Sequence, residues 1–232
     1  MELLNNLTDY LTPSYPAFIT LTGGGGKTTT LTSLGHFYKE KGLSVLITTT
    51  TKVQSPKNYA YNADHYFTSE SEVLSHDVNK GELVFYAERS ILDPKKVTSP
   101  RIEVLSLLSK KYDVIVAEAD GARCLPLKLH TERDPVIPAF STATLAIMGA
   151  SAFGKKADNV CFGYEDDDLA DRSFFQRLID DKEGVLKRAS NINAILINQC
   201  DELKEEELTE LKKLHAPCKI FFGSVKKNYL YV

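Results

Sequence analysis

Short apolar runs alternate with segments of helical period along this chain. Residues 17–21 (AFITL) place Phe18, Ile19 and Leu21 together and predict a buried strand. From Thr28 onward, Leu31, Leu34, Phe37 and Tyr38 recur at helical spacing, and Gly42 ends that helix. Residues 43–51 (LSVLITTTT) are rich in β-branched side chains and predict a second strand. Shorter strand candidates at 64–69 and 81–88 suggest an antiparallel edge or hairpin. A helix over 99–111 opens on Ser-Pro and carries Ile102, Leu105 and Leu108. Strong strands follow at 112–121 (YDVIVAEADG), 142–150 (TATLAIMGA) and 192–198 (INAILIN), and a closing strand at 218–224. Helices are expected at 167–180 and 201–214. Residues 155–168 give no clear reading. The alternation predicts an α/β protein with a mostly parallel central sheet between layers of helices, a small antiparallel edge and one domain over residues 1–232.

The first strand runs straight into Gly23, Gly24, Gly25, Gly26, Lys27, Thr28 and Thr29. Glycines at a strand-to-helix turn let backbone N–H groups face an anion, and the helix N-terminus adds its dipole. Lys27, read as lying at a surface turn, is placed to reach β- and γ-phosphate oxygens, and the Thr28 hydroxyl to ligate Mg²⁺. This is a P-loop, and it refines the expectation to a three-layer P-loop NTPase fold. A Leu21-Thr22 pair stands where a variant loop of the signal-recognition and MinD-like class has Gly-Lys. A lysine crossing a dimer interface is therefore not expected.

Ligands in open α/β sheets gather at the carboxyl ends of strands. There the third strong strand ends in Glu118-Ala-Asp120-Gly121, giving two candidates for an Mg²⁺ ligand and a water-positioning partner. Residues 48–52 end the second strand, which brings Thr50 forward as a further metal ligand and Lys52 as a cation for transferring charge. Asn198-Gln-Cys-Asp201 ends a late strand much as the guanine-reading Asn-Lys-x-Asp does, and Ser224 ends the next strand in the place of a second base-side loop. These three residues favour GTP over ATP, although Asp201 also suits an N-cap. After Gly121, the proline-containing stretch to residue 138 is where a segment responding to the γ-phosphate belongs, with Arg123, Lys128, His130 and Glu132 as its polar candidates.

Composition narrows the function classes. A net charge of −3 gives no reason to expect nucleic acid or an anionic membrane as partner. No apolar run approaches the roughly 20 residues needed to span a bilayer. The first 15 residues lack a basic cluster and do not resemble a signal peptide. Cys124, Cys161, Cys200 and Cys218 are widely spaced, as expected of a cytoplasmic protein with reduced thiols.

Four stretches together, LTGGGGKTT, VLITTTTK, VIVAEADGARCLPLKLH leading to DPVIP, and ILINQCD, resemble the YqeC-like accessory proteins of selenium-dependent molybdenum hydroxylases. The resemblance runs from Leu21 to Asp201. It implies a P-loop NTPase with Mg²⁺ and GTP or ATP as cofactors, acting in cytoplasmic maturation of such a hydroxylase. The client enzyme or its cofactor-synthesis proteins would be its partners. Two other functions use the same loop: a small-molecule kinase whose acceptor is held by Arg123, Lys128 or His130, and a nucleotide-regulated cofactor-delivery module with little turnover.

Overall fold

A computed structural model of the protein describes residues 2–190 and 192–232. Nine strands form the main sheet: β1 (Ala17–Gly23), β2 (Val45–Thr49), β3 (His65–Phe67), β4 (Leu83–Tyr86), β5 (Val114–Glu118), β6 (Ala143–Gly149), β7 (Ile192–Asn198), β8 (Lys219–Ser224) and β9 (Tyr229–Leu230). Their order is β9-β8-β7-β6-β1-β5-β2-β4-β3, and every pairing except β8 with β9 is parallel. The antiparallel edge is therefore the carboxyl-terminal one. The strands expected as an antiparallel pair, β3 and β4, run parallel instead, His65 beside Val84. Helix α3 (Glu70–Ser75) lies between them in the chain and permits that parallel return. A separate antiparallel sheet joins Val53–Gln54, Lys96–Thr98 and Glu88–Arg89.

Side chains alternate between the two faces of the sheet. Ile19, Leu21, Ile47, Val116 and Ile147 pack with helices α1 (Leu3–Leu11) and α2 (Lys27–Glu40). On the other face, Phe18, Leu46 and Ile115 meet Val73 of α3 and Leu105 and Leu108 of α4 (Ile102–Leu108). Also there, Met148, Ile195 and Ile197 meet Phe175 and Leu178 of α5 (Arg172–Asp180) and Leu211 of α6 (Glu205–Leu211). This completes the three layers.

Helix α1 was not anticipated, although Leu3, Leu4, Leu7 and Leu11 are buried at helical spacing. Helix α5 starts at Arg172 because the Asp171 carboxylate caps it, accepting from Phe174 N–H at 3.0 Å. Helix α6 starts at Glu205 rather than 201, after a 3₁₀ turn over Cys200–Glu202. Residues 155–168 contain a helical turn at Ala157–Val160 and a short strand, Cys161–Phe162, that pairs in parallel with Leu127–Lys128. Among the described residues, no helix is long and apolar enough to cross a membrane.

The chain first winds outward from β1 to β3, returns to insert β5 beside β1, then crosses to β6 on the other side of β1. The crevice at the carboxyl ends of β5, β1 and β6 is the topological switch point.

Candidate phosphate-binding site

The glycine loop turns within this crevice. Gly23 and Gly25 have φ of +89° and +75°, and a Cβ on Gly25 would lie 2.3 Å from the Gly149 backbone, so no other residue fits there. Three of the four glycine N–H groups expected to face an anion are bonded internally. Gly23 N–H donates to Asp120 Oδ2 (2.9 Å), Gly24 N–H to Ile147 O (2.8 Å) and Gly25 N–H to Leu125 O (3.2 Å). The N–H groups that open α2, those of Gly26, Lys27, Thr28 and Thr29, precede the first helical hydrogen bond, Thr30 N–H to Gly26 O. An anion at the helix start would meet these four.

Lys27 is buried, not at a surface turn. Its ammonium donates to Gly23 O (2.5 Å) and lies 3.0 Å from Asp120 Oδ1 and 3.8 Å from Glu118 Oε1. Thr28 Oγ1 donates to Glu118 Oε2 at 3.0 Å. The two acids occupy different surroundings. Burial raises the Glu118 carboxyl above the ordinary carboxylate range, against the opposing pull of Lys27 and Thr28. Burial acts the same way on Asp120, but Lys27, a hydrogen bond from His130 and the charge of Lys128 outweigh it and hold that carboxyl well below its usual range.

Asp120 is fully buried and works as a hub. Besides Gly23 N–H it meets His130 Nε2 at 2.6 Å, while His130 Nδ1 lies 2.8 Å from Gly184 O. Both ring nitrogens thus face oxygen acceptors. Lys128 is also buried and donates to Gly121 O (2.5 Å) and to Asp134. Asp134 was not among the candidate site residues. Lys128 and His130, candidates for holding an acceptor, are both committed inside the protein.

Thr50 is likewise engaged, its hydroxyl donating to Val136 O at 2.6 Å, and Thr49 donates to Glu118 O at 3.0 Å. The threonine run thereby ties the end of β2 to β5 and to the segment beyond Gly121. Lys52 is exposed and lines, with residues 24–29, Val53, Gln54, Tyr59, Lys96, Glu118 and residues 121–125, a cavity of about 400 Å³ beside the loop. Arg123 and Cys124 belong to that wall, are exposed, and both have positive φ (48° and 65°). Next to them, Leu125 O accepts from Gly25 N–H and Pro126 O from Gly149 N–H (2.8 Å). Arg123 lies over the Phe162 ring at 5.2 Å, with Lys128 at the same distance. Residues 161–162, unread in the sequence, therefore buttress the segment that covers the loop.

Of the residues expected to read a base, Asn198 donates from Nδ2 to Gly25 O (2.8 Å) and accepts at Oδ1 from Val225 N–H (2.9 Å), fastening the end of β7 to the glycine loop. Asp201 Oδ2 lies 3.2 Å from Lys227 Nζ. Burial would raise that carboxyl, but hydrogen bonds from Ser224 and Lys227 lower it. Asp201 lines a different concavity, with Cys200, Leu203 and Tyr231.

The model of the YqeC protein family matches residues 19–165, more than half of the chain and all of the loop, acid and threonine segments. The chain belongs to the YqeC family. Uncharacterized protein YqeC of Escherichia coli (strain K12) is 33% identical over 143 residues, 61% of this chain and 55% of that protein. The chain thus spans about half the length of this curated relative. Among solved structures it is similar to the signal recognition particle receptor FtsY of Elizabethkingia anophelis in complex with GDP, at 17% identity and a TM-score of 0.49. That match covers 94% of this chain and 60% of the other. It is also similar to HypB of Helicobacter pylori in complex with nickel, at 10% identity and a TM-score of 0.40, covering 97% and 86% of the two chains.

Proposed function

We propose that this YqeC-family protein binds a nucleoside triphosphate with Mg²⁺ at the glycine loop and hydrolyses it, with GTP preferred to ATP. The observation that carries the reading is the convergence of Lys27, Thr28 and Glu118 at the switch point, with Thr28 Oγ1 3.0 Å from Glu118 Oε2. A hydroxyl and a carboxylate at that separation are hard oxygen donors of the kind Mg²⁺ takes, the ion keeping several waters. Thr28 and Glu118 would hold Mg²⁺, which would supply neutralisation of charge on the β- and γ-phosphate oxygens. The chain's own groups do the rest. The N–H groups that open α2 hold the phosphates, Lys27 turns from Asp120 to the anion, and the covering segment keeps bulk water from the cavity. Asp120 acts as the anchor of this apparatus, since it is fully buried and bound to Gly23, His130 and Lys27. The setting is the one the family resemblance implies, cytoplasmic maturation of a selenium-containing molybdenum hydroxylase.

One observation favours a second reading, phosphoryl transfer to a small anionic acceptor. The cavity extends past the glycine loop to Lys52, Lys96 and Arg123, three exposed cations beyond the phosphate positions. Incubating the protein with Mg²⁺ and GTP or ATP separates the readings. Phosphate release without acceptor supports hydrolysis. Turnover that appears only with an added anionic pathway compound supports transfer. Failure of both nucleotides to bind overturns both readings.

A further inference from the structure

A second cluster lies at the opposite end of the sheet. His65 opens β3, Glu82 immediately precedes β4, and His76 caps the end of α3. These are amino ends of strands, whereas the glycine loop sits at the carboxyl ends. His65 Nε2 lies 2.6 Å from Glu82 Oε1, and His76 Nε2 lies 3.2 Å from Glu82 Oε2. All three ligand atoms fall within 4.8 Å of one another, the only such group of histidine, cysteine and acid side chains among the described residues. We propose that His65, His76 and Glu82 bind a transition-metal dication of the zinc class.

The geometry is close to what such an ion requires. Bonds of about 2.1 Å at tetrahedral angles separate neighbouring ligand atoms by roughly 3.4 Å. The two nitrogen–oxygen separations, 2.6 and 3.2 Å, both lie below that value, so the side chains open slightly to admit an ion. Two neutral imidazoles and one carboxylate form a borderline N/O donor set, which suits Zn²⁺, Co²⁺, Ni²⁺ or Cu²⁺ and disfavours Mg²⁺ and Ca²⁺. The donors are also held in place. Phe67 stacks on His65 (centroids 6.2 Å, 7° between planes) and lies 5.0 Å from His76, and Asn79 N–H donates to Glu82 Oε2 at 3.2 Å. Outer contacts of this kind orient ligands and raise affinity. The His65 side chain is 46% exposed, so an ion can enter from solvent and keep a water as its fourth ligand. Bound there, it would tie the outermost strand to the turn between α3 and β4.

The test uses untagged, metal-stripped protein carrying Cys124→Ser, which removes the exposed thiol as a competing ligand. Zn²⁺ is titrated without nucleotide, following heat and melting temperature. The expected result is one bound equivalent with a raised melting temperature, and no rise with Mg²⁺. His65→Asn, at an exposed position, should weaken zinc binding by about tenfold or more, since losing even an outer contact to a ligand costs that much. His76→Ala and Glu82→Gln should abolish it, with GTP affinity unchanged in all three variants. No stoichiometric zinc binding, or the same binding in His65→Asn and His76→Ala, would overturn the proposal and leave the cluster as an ion-paired edge.

Discussion

Lys27 Nζ stands 3.0 Å from Asp120 Oδ1 in a place without solvent, so the lysine that would meet the phosphates also neutralises the most buried acid of the site. Nucleotide binding at the loop, as proposed, would draw on that pair. On the proposed function, a triphosphate would pull Lys27 away from Asp120, while His130 and Gly23 N–H remain to hold the carboxylate.

Lys27→Ala should therefore have two effects. Triphosphate affinity should fall by about 10- to 100-fold, the value of a lost charge-assisted hydrogen bond worth roughly 1.5–3 kcal/mol. The melting temperature should also fall, because two buried acids lose their shared cation. Unchanged affinity in a calorimetric titration would remove the phosphate-binding assignment of the loop.

Asp120→Asn and Glu118→Gln should separate by stability and by pH. Truncating the charge of Asp120 leaves Lys27, Lys128 and His130 without their common acceptor, which should cost about 3–5 kcal/mol. Its carboxyl is held low in the fold, so the stability it supplies is present above about pH 3.9 and fades as pH falls below that. The Asn variant should lose that acid-side dependence. Glu118 is raised by burial, so its contribution favours the fold below about pH 4.3 and is lost as pH rises through the raised value. Glu118→Gln should remove that decline and be at least as stable as the parent near neutrality, while losing Mg²⁺-dependent nucleotide binding. Melting curves from pH 3 to 8 check both, and identical profiles for the two variants would show that the acids share one role.

The glycine loop, its flanking strand and helix, and the acid-ended strand β5 were legible because each is a local pattern. The partners of those acids were not. Asp120 is met by Gly23, Lys27, Lys128 and His130, and Lys128 by Asp134, contacts that only the crossing of β1, β5 and the segment after Gly121 creates. The capping of the loop by Leu125 O uses a backbone carbonyl, which no residue type signals. The orientation of β3 could not be read because three residues with exposed or half-exposed side chains fix neither face nor direction.

Cys124 offers a probe of the cavity. It is exposed and lines the wall facing the loop, whereas Cys161 and Cys200 are buried with thiols pushed up to about 12 by desolvation. A maleimide should label Cys124 first, and GTP with Mg²⁺ should slow that labelling several-fold. Cys124→Ser should leave little fast labelling. A rate indifferent to saturating nucleotide would place the nucleotide elsewhere.

Asp201 tests base choice. Asn198 joins β7 to the glycine loop, whereas Asp201 lines a separate concavity that a base read by it would have to reach. A carboxylate pairs with two guanine protons and finds no such donors on adenine, and a polar site of this type discriminates strongly. Its carboxylate is now engaged by Ser224 and Lys227, 3.2 Å away in the case of lysine, so guanine must compete with a partly exposed ion pair. Asp201→Asn should then reduce the preference for GTP over ATP by about tenfold or more, on the scale of a lost charged hydrogen bond. It should also improve binding of a xanthine nucleotide, whose carbonyl at the 2-position accepts from an amide. Competition of GTP, ATP and XTP against a fluorescent nucleotide reads all three. Equal affinity of the unmodified protein for GTP and ATP would return Asp201 to a purely structural place, paired with Lys227 where β7 passes into the turn before α6.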